Sequence, residues 1–442
     1  MPMKKASIAI IFLTVLIDLV GFGLILPLIP IYAKNFHATG FVIGAIISSY
    51  SLMQFIFAPI WGRLSDRVGR RPVLLGSTAC ACLSYVIFAI GSGLSGNIAL
   101  GVMLLSRLFA GICGANITVA QAYIADITPP EKRSAKMGLI GMAFGLGFVL
   151  GPILGAVSSD HFGLTAPGWT AALLCALNFI SAFMWLPESW QQSAHSVTQR
   201  PHVEQWLHIL RTPRLNLLIA IFFLATFCFT CFESTIGLLV MKNFGIDTEK
   251  SLETVSLLIA YCGVIGAGVQ GGAAGRLVKR MGEPKMIALS LFLAAVGICL
   301  LPYLTPASMA AFNKILPVTD SHNHRTIWGR LLALLGISAI VPKWGTLLVG
   351  LGIFSIGSSL TRPPVFGMIS MLTPAHEQGA TMGVAQGVGS LARIVGPIFA
   401  ASLFVIHAPL PYLICGTLCL LTAFVTMQYL TQVQTAPSPS VG

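Results

Sequence analysis

The sequence predicts an all-α integral membrane protein, with about twelve transmembrane helices in two six-helix repeats. Three observations point there. The composition is that of a chain dissolved in lipid: 55% of residues are hydrophobic, 9% are charged and the mean hydropathy is +0.85. A soluble fold must cover itself with polar side chains, whereas a lipid-facing exterior stays apolar. Apolar windows long enough to cross a bilayer recur about twelve times, and short motifs of the first half return in the second at constant offsets.

The windows lie near 8–31, 41–61, 72–92, 98–124, 138–159, 168–187, 214–241, 253–274, 284–304, 346–368, 380–405 and 408–430. Each is close to the ~20 residues that a hydrocarbon core requires. The first follows Lys4 and Lys5, is too long for a signal-peptide core and has no small-residue cleavage site after it, so it reads as a spanning helix. The polar segment 188–213, with Glu188, His195, Arg200 and Glu204, is a linker between a first bundle at 1–187 and a second at 214–430. Residues 431–442, with Pro437 and Pro439, read as a disordered tail.

The best-marked turn is Gly62-Arg63-Leu64-Ser65-Asp66-Arg67-Val68-Gly69-Arg70-Arg71-Pro72-Val73-Leu74. Four arginines and an aspartate cannot sit in hydrocarbon, so this is expected to be a short loop at a membrane surface, with Gly69 supplying a permissive backbone. Gly62 and Gly69 return as Gly275 and Gly282 at an offset of 213. Thr128-Pro129, Met137-Gly138 and Gly151-Pro152 return as Thr373-Pro374, Met382-Gly383 and Gly396-Pro397 at 245. The difference of 32 residues places an insertion near 306–343, between helices nine and ten. His322 and His324 within it lack further ligands for zinc, and a solvated loop or surface helix is the expectation. The second copy puts Lys279 where Asp66 stands. A pure orientation signal needs no carboxylate, so Asp66 is expected to belong to a latch between the halves.

A net charge of +12 would suggest nucleic acid as the partner of a soluble chain. Here the basic residues fall in short turns and no continuous basic face exists, which excludes nucleic acid. With both termini cytoplasmic, the inner loops hold 16 Lys and Arg and the outer loops 7, as the positive-inside rule asks. All ten cysteines, Cys228-x-x-Cys231 included, lie in apolar segments and read as inert thiols. There is no P-loop, Gly-x-Ser-x-Gly or His-rich box, so neither an enzyme, a cofactor nor a metal is expected, and nothing requires more than a monomer.

These residues resemble the major facilitator superfamily, and within it the twelve-helix drug/proton antiporters. The Gly62–Arg71 loop is similar to that family's first-loop signature, with Val68 where an aromatic is usual. Asp18 to Gly23 with Pro27, Leu104-x-x-Arg107 with Gly111, and Gly147-x-x-x-Gly151-Pro152-x-x-Gly155 are similar to its first-, fourth- and fifth-helix motifs. Ser51 to Phe55, Arg70 to Leu75 and Ala122 to Asp126 look like tetracycline/proton antiporter-like efflux proteins. Two departures stand out: Ser84-Tyr85 replaces an intramembrane acid on helix three, and helix nine carries none. The resemblance implies a major-facilitator-type fold around a central cavity, with Asp66, Arg67 and Arg70 (beside Gly62, Gly69 and Arg71) as a gating loop. It implies proton-coupled antiport that exports a small amphipathic compound or drug from a bacterial inner membrane. A proton-linked importer of a nutrient or siderophore and a non-transporting receptor or scaffold are the alternatives.

Ionisable groups within the spans are costly and therefore informative. Asp18 and Arg107 both lie near the midplane by residue count. Burial favours the neutral acid and a nearby guanidinium favours the carboxylate, so the pair reads as a protonation switch or as a static ion pair. Glu233, among Phe222, Phe223, Phe227, Phe229 and Phe232, reads either as a site for a cationic or amphipathic ligand or as a carboxylate reaching outer water. Arg362 before Pro363-Pro364 predicts a helix break, and its guanidinium lines a cavity or, the favoured reading, snorkels to headgroups. Arg393, two turns after Gln386, faces the cavity or pairs with an acid, and no partner is evident. Gln54, Asn116, Gln121, Asn178, Gln270 and Gln386 are cavity hydrogen-bonders or helix–helix glue. The helix-five glycines form a small-residue surface that lets a partner helix approach closely, with Pro152 as a kink.

Overall fold

The computed structural model describes residues 8–25, 28–29, 39–114, 116–190, 202–245, 248–305 and 341–431. All regular secondary structure there is helical, and twelve helical stretches are long and apolar enough to cross a membrane. In lipid only a helix or a closed barrel satisfies every backbone polar group, so a continuous apolar window becomes a helix. The spans are α1 (Ile8–Ile25), α2 (Gly40–Val68), α3 (Arg70–Ser92), α4 (Gly96–Cys113 and Asn116–Ile127), α5 (Pro130–Phe162) and α6 (Ala166–Trp185). After a short linker helix (His202–Arg211) come α7 (Pro213–Phe244), α8 (Thr248–Gly268, continuing to Met281), α9 (Glu283–Leu300), α10 (Val341–Leu372), α11 (Gln378–Ile406) and α12 (Leu410–Thr431). Pro27, most of the 306–343 insertion with its two histidines, and the tail beyond Thr431 lie outside the described residues.

Several local expectations need correction. The arginine-rich stretch is not a loop: Gly62–Val68 completes α2, Arg70 starts α3, and Gly69 alone makes the reversal at φ 101°. Only a residue without Cβ takes that conformation cheaply. Helix four is not continuous; its first piece ends at Gly114. Helix ten runs unbroken through Pro363 and Pro364, because its neighbours hold it where two amide donors are missing. Helix eight contains a π-helical stretch, Val269–Ala273, which no sequence signal announced.

The internal repeat is written in the backbone. Gly69 (φ 101°, ψ 161°) and Gly282 (φ 79°, ψ 159°) turn alike, as do Pro129 (φ −56°, ψ 145°) and Pro374 (φ −58°, ψ 149°) ahead of α5 and α11. Contacts between the first six and last six spans run mainly through α2 with α11 and α5 with α8 and α10. Glycine makes them close: Gly62 meets the Gly379 backbone, Gly383 meets Ala58, Gly145 meets Gly263, and Gly367 meets Ser134. These contacts all lie between mid-span and the face where α2 turns into α3, hereafter the arginine-rich face.

Candidate transport site and gate

A cavity of about 150 Å³ opens between the first and last six spans. Its wall is mainly apolar, with Phe22, Phe144, Phe148 and Phe229, but Gln54, Glu233, Arg362 and Arg393 also border it. Arg393 finds the partner that the sequence withheld: Nη2 donates to Gln54 Oε1 on α2 at 2.8 Å and to Ser390 Oγ at 2.8 Å. Gln54 also donates to Tyr50 Oη at 3.1 Å, so α2 and α11 are tied across the cavity. Arg362 does not snorkel. Its guanidinium lies over Phe144 at 5.2 Å and Phe222 at 5.9 Å, because α10 turns that face inward. Glu233 borders the cavity with Arg393 and Arg362 as its electrostatic neighbours. The surrounding Phe222, Phe227 and Phe232 are buried in the helix bundle rather than turned to lipid.

Four of the expected cavity residues lie elsewhere. Gln121 and Gln386 bond to each other across the two halves at 3.1 Å. Asn116 is 1% exposed and is the hydrogen-bonding neighbour of Asp18. Asn178 is glue, donating to the Thr14 carbonyl at 2.9 Å. Gln270 does border the cavity, seated against the Gly141 backbone.

Asp18 and Arg107 share a depth but form no ion pair among the described residues. Arg107 lies over Tyr85 at 5.5 Å and Phe88 at 5.2 Å, and its Nη2 reaches Ser106 Oγ at 3.3 Å. The aromatic rings fill the gap: Tyr85 packs on Gly21, one turn beyond Asp18, and Tyr50 lies within electrostatic reach of Asp18, Arg393 and Arg107. Tyr85 is thus a spacer between the α1 face that carries Asp18 and the Arg107 guanidinium.

The candidate gate is built from helix ends. Asp66 is 4% exposed, and its carboxylate accepts from the Gly379 and Ala380 amides at 2.9 and 2.7 Å, the free N–H groups that open α11. A helix N-terminus is a ready anion site, so a carboxylate there is held by unsatisfied donors and the helix dipole together. Arg70, fully buried, binds Asp66 at 2.6 Å, Ser65 at 2.7 Å and Asp126 at 2.9 Å. Arg71 donates to the Phe183 carbonyl at 2.8 Å, and Arg67 is exposed. Sequence reasoning missed Glu188, whose carboxylate caps α3 through the Arg70 and Arg71 amides at 2.9 and 3.0 Å. It also missed the counterpart latch: Ser134 at the start of α5 donates to Glu283 at 3.1 Å, and Glu283 stands at the repeat position of Arg70. The acid has moved one helical turn from the Lys279 position, which the offset alone could have flagged.

The helix-five glycines form two surfaces, not one. Gly147, Gly151 and Gly155 meet Leu19, Gly23 and Leu24 of α1, whereas Gly138 and Gly145 meet Gln270 and Gly263 of α8. Pro152 sits inside the helix. The Cys228-x-x-Cys231 pair has company after all, since Cys419 Sγ from α12 lies 3.6 Å from Cys228 Sγ. The described residues nevertheless form no group suited to a metal ion.

Comparison with known proteins agrees with this geometry. The Major Facilitator Superfamily matches residues 11–319 and 316–441. Tetracycline resistance protein, class E, of Escherichia coli is 30% identical over 406 residues, covering 90% of this chain and 87% of that protein. The class C protein of Escherichia coli is 30% identical over 413 residues, 92% of each. Major facilitator superfamily domain-containing protein 10 of Bos taurus is 29% identical over 466 residues, covering 94% and 91%. Among solved structures, the human organic anion transporter MFSD10 (TETRAN) superposes with a TM-score of 0.73 at 24% identity, covering 96% of this chain and all of that one. The family model spans nearly the whole chain and two relatives reach 30% identity over nine-tenths of it, and the chain belongs to the Major Facilitator Superfamily.

Proposed function

We propose that this transporter is a proton-coupled antiporter that exports a small amphipathic compound, a tetracycline among the candidates, by alternating access. It works as a monomer in the cell membrane, a bacterial inner membrane, with the arginine-rich face and both termini cytoplasmic. The supporting observation is the cavity at the meeting of the two halves, with the Gly62–Gly379, Gly383–Ala58 and Gly367–Ser134 contacts and both helix-end latches on the arginine-rich side of it. A barrier on one side of a central site is one of the two states alternating access requires. Breaking the Asp66 latch and rocking the halves opens the site to the other face. Asp18, near the midplane and bordered by Asn116, carries the proton; Arg107, held by Tyr85 and Phe88, senses its charge through the intervening phenols. The α1–α5 glycine seam keeps water from crossing beside Asp18. One proton entering across 100 mV yields about 2.3 kcal/mol, enough to raise a neutral solute's gradient by nearly two decades.

The test is vesicle transport with an internal pH dye. A tetracycline, cationic dyes and lipophilic acids are added singly to everted vesicles from a pump-deleted host. At least one should release protons from wild type. Asp18→Asn should abolish that release while solute counterflow persists. Proton release by Asp18→Asn, or none from wild type with any compound, refutes the reading.

A further inference from the structure

The charges bordering the cavity do not cancel. Glu233 faces two guanidiniums, Arg393 and Arg362. Arg393 is steadied by neutral oxygens, Gln54 Oε1 and Ser390 Oγ. Arg362 has aromatic rings as neighbours but neither a hydrogen-bond acceptor nor a salt-bridge partner among the described residues. A guanidinium without an acceptor in a largely apolar chamber is expensive to keep, and such groups mark ligand sites. The sequence had suggested a cationic ligand at Glu233, but a cation there would meet two positive charges for one negative.

Resting on the export reading above, we propose that the substrate is an amphipathic organic anion, whose carboxylate or enolate oxygens seat on the Arg362 guanidinium, with Arg393 as the second cation. The guanidinium fork matches a two-oxygen anion in a way an ammonium does not. The apolar body of the ligand lies against Phe22, Phe148 and Phe229, which border the same space. Glu233 is then the resident counter-ion of the empty cavity, and the substrate's acidic group competes with it.

The experiment is equilibrium binding to the full chain in lipid nanodiscs, with empty discs subtracted. The probes are 2-naphthoate, 2-naphthamide and 2-naphthylmethylammonium, which share a ring system and differ in charge. A hydrogen bond to a charged group corresponds to about ten- to hundredfold in affinity, so naphthoate should bind that much more tightly than the amide, and the ammonium most weakly. Arg362→Gln should bring naphthoate down to the amide's affinity while the amide is unchanged, which also shows that the variant is folded. Arg362→Lys should keep part of the preference. Glu233→Gln should bind naphthoate as tightly as wild type or more so. Equal affinities, preference for the ammonium, no binding of any probe, an Arg362→Gln chain that still prefers naphthoate, or weaker naphthoate binding by Glu233→Gln each overturns the proposal. No gradient is involved, so a chain that binds naphthoate yet moves no protons refutes the coupling alone.

Discussion

Replacing Asp66 with asparagine should unlatch the two halves without unfolding either. The carboxylate makes three strong contacts, but they differ in kind. The bond to Arg70 at 2.6 Å joins neighbours in one half and survives opening, whereas those to the Gly379 and Ala380 amides at 2.9 and 2.7 Å exist only when the halves are closed. Hydrogen bonds to a charged acceptor are worth about 1.5–3 kcal/mol each. Asparagine retains one acceptor oxygen and turns a donor toward the other amide, so the closed state should lose about 2–3 kcal/mol relative to the open one. That shifts the equilibrium by about 30- to 150-fold. Spin labels at Lys132→Cys and Lys279→Cys, both exposed on the arginine-rich face, report the separation of α5 and α8 there. Asp66→Asn should move the distance distribution to longer values and slow transport, with insertion intact. An unchanged distribution together with unchanged transport would refute the latch argument.

Other consequences can be measured separately. Gly151→Val places side-chain atoms against the Gly23 and Leu24 backbone, and overpacking of this kind costs about 1–3 kcal/mol or more, so folded yield should fall; Gly101→Ala, which meets nothing within 4 Å, is the control. Glu188→Gln weakens the cap on α3 and should cost about 1 kcal/mol, read as a lowered Tm in detergent. Glu283→Gln should loosen the second latch less than Asp66→Asn loosens the first, because one serine hydroxyl at 3.1 Å is at stake rather than two amides; the same spin-label pair ranks them. If the exported species is an anion exchanged for one proton, two charges move in the same electrical sense. About 4.6 kcal/mol per 100 mV then enters, and clamping the potential to zero should slow uphill efflux sharply.

The sequence by itself determined the twelve spans and the repeat. Hydrocarbon leaves an apolar segment no option but a helix, and Gly69 and Gly282 mark their turns by needing a backbone that other residues resist. It also singled out Asp18, Glu233, Arg362 and Arg393 as candidates, since charge inside a span is costly. What each of them faces was decided only by the tertiary structure. Arg393 meets Gln54 across 339 residues and Asp66 meets Gly379 across 313, and no local period encodes either meeting. Arg107 and Asp18 show the limit from the other side: residue counting put them at one depth, but depth is one coordinate, and Tyr50 and Tyr85 occupy the space between. Hydropathy fixes how far along the membrane normal a side chain sits. Which way it points around its helix follows from glycine-mediated packing against helices far away in the chain, and that rotation placed two arginines and a glutamate around one cavity.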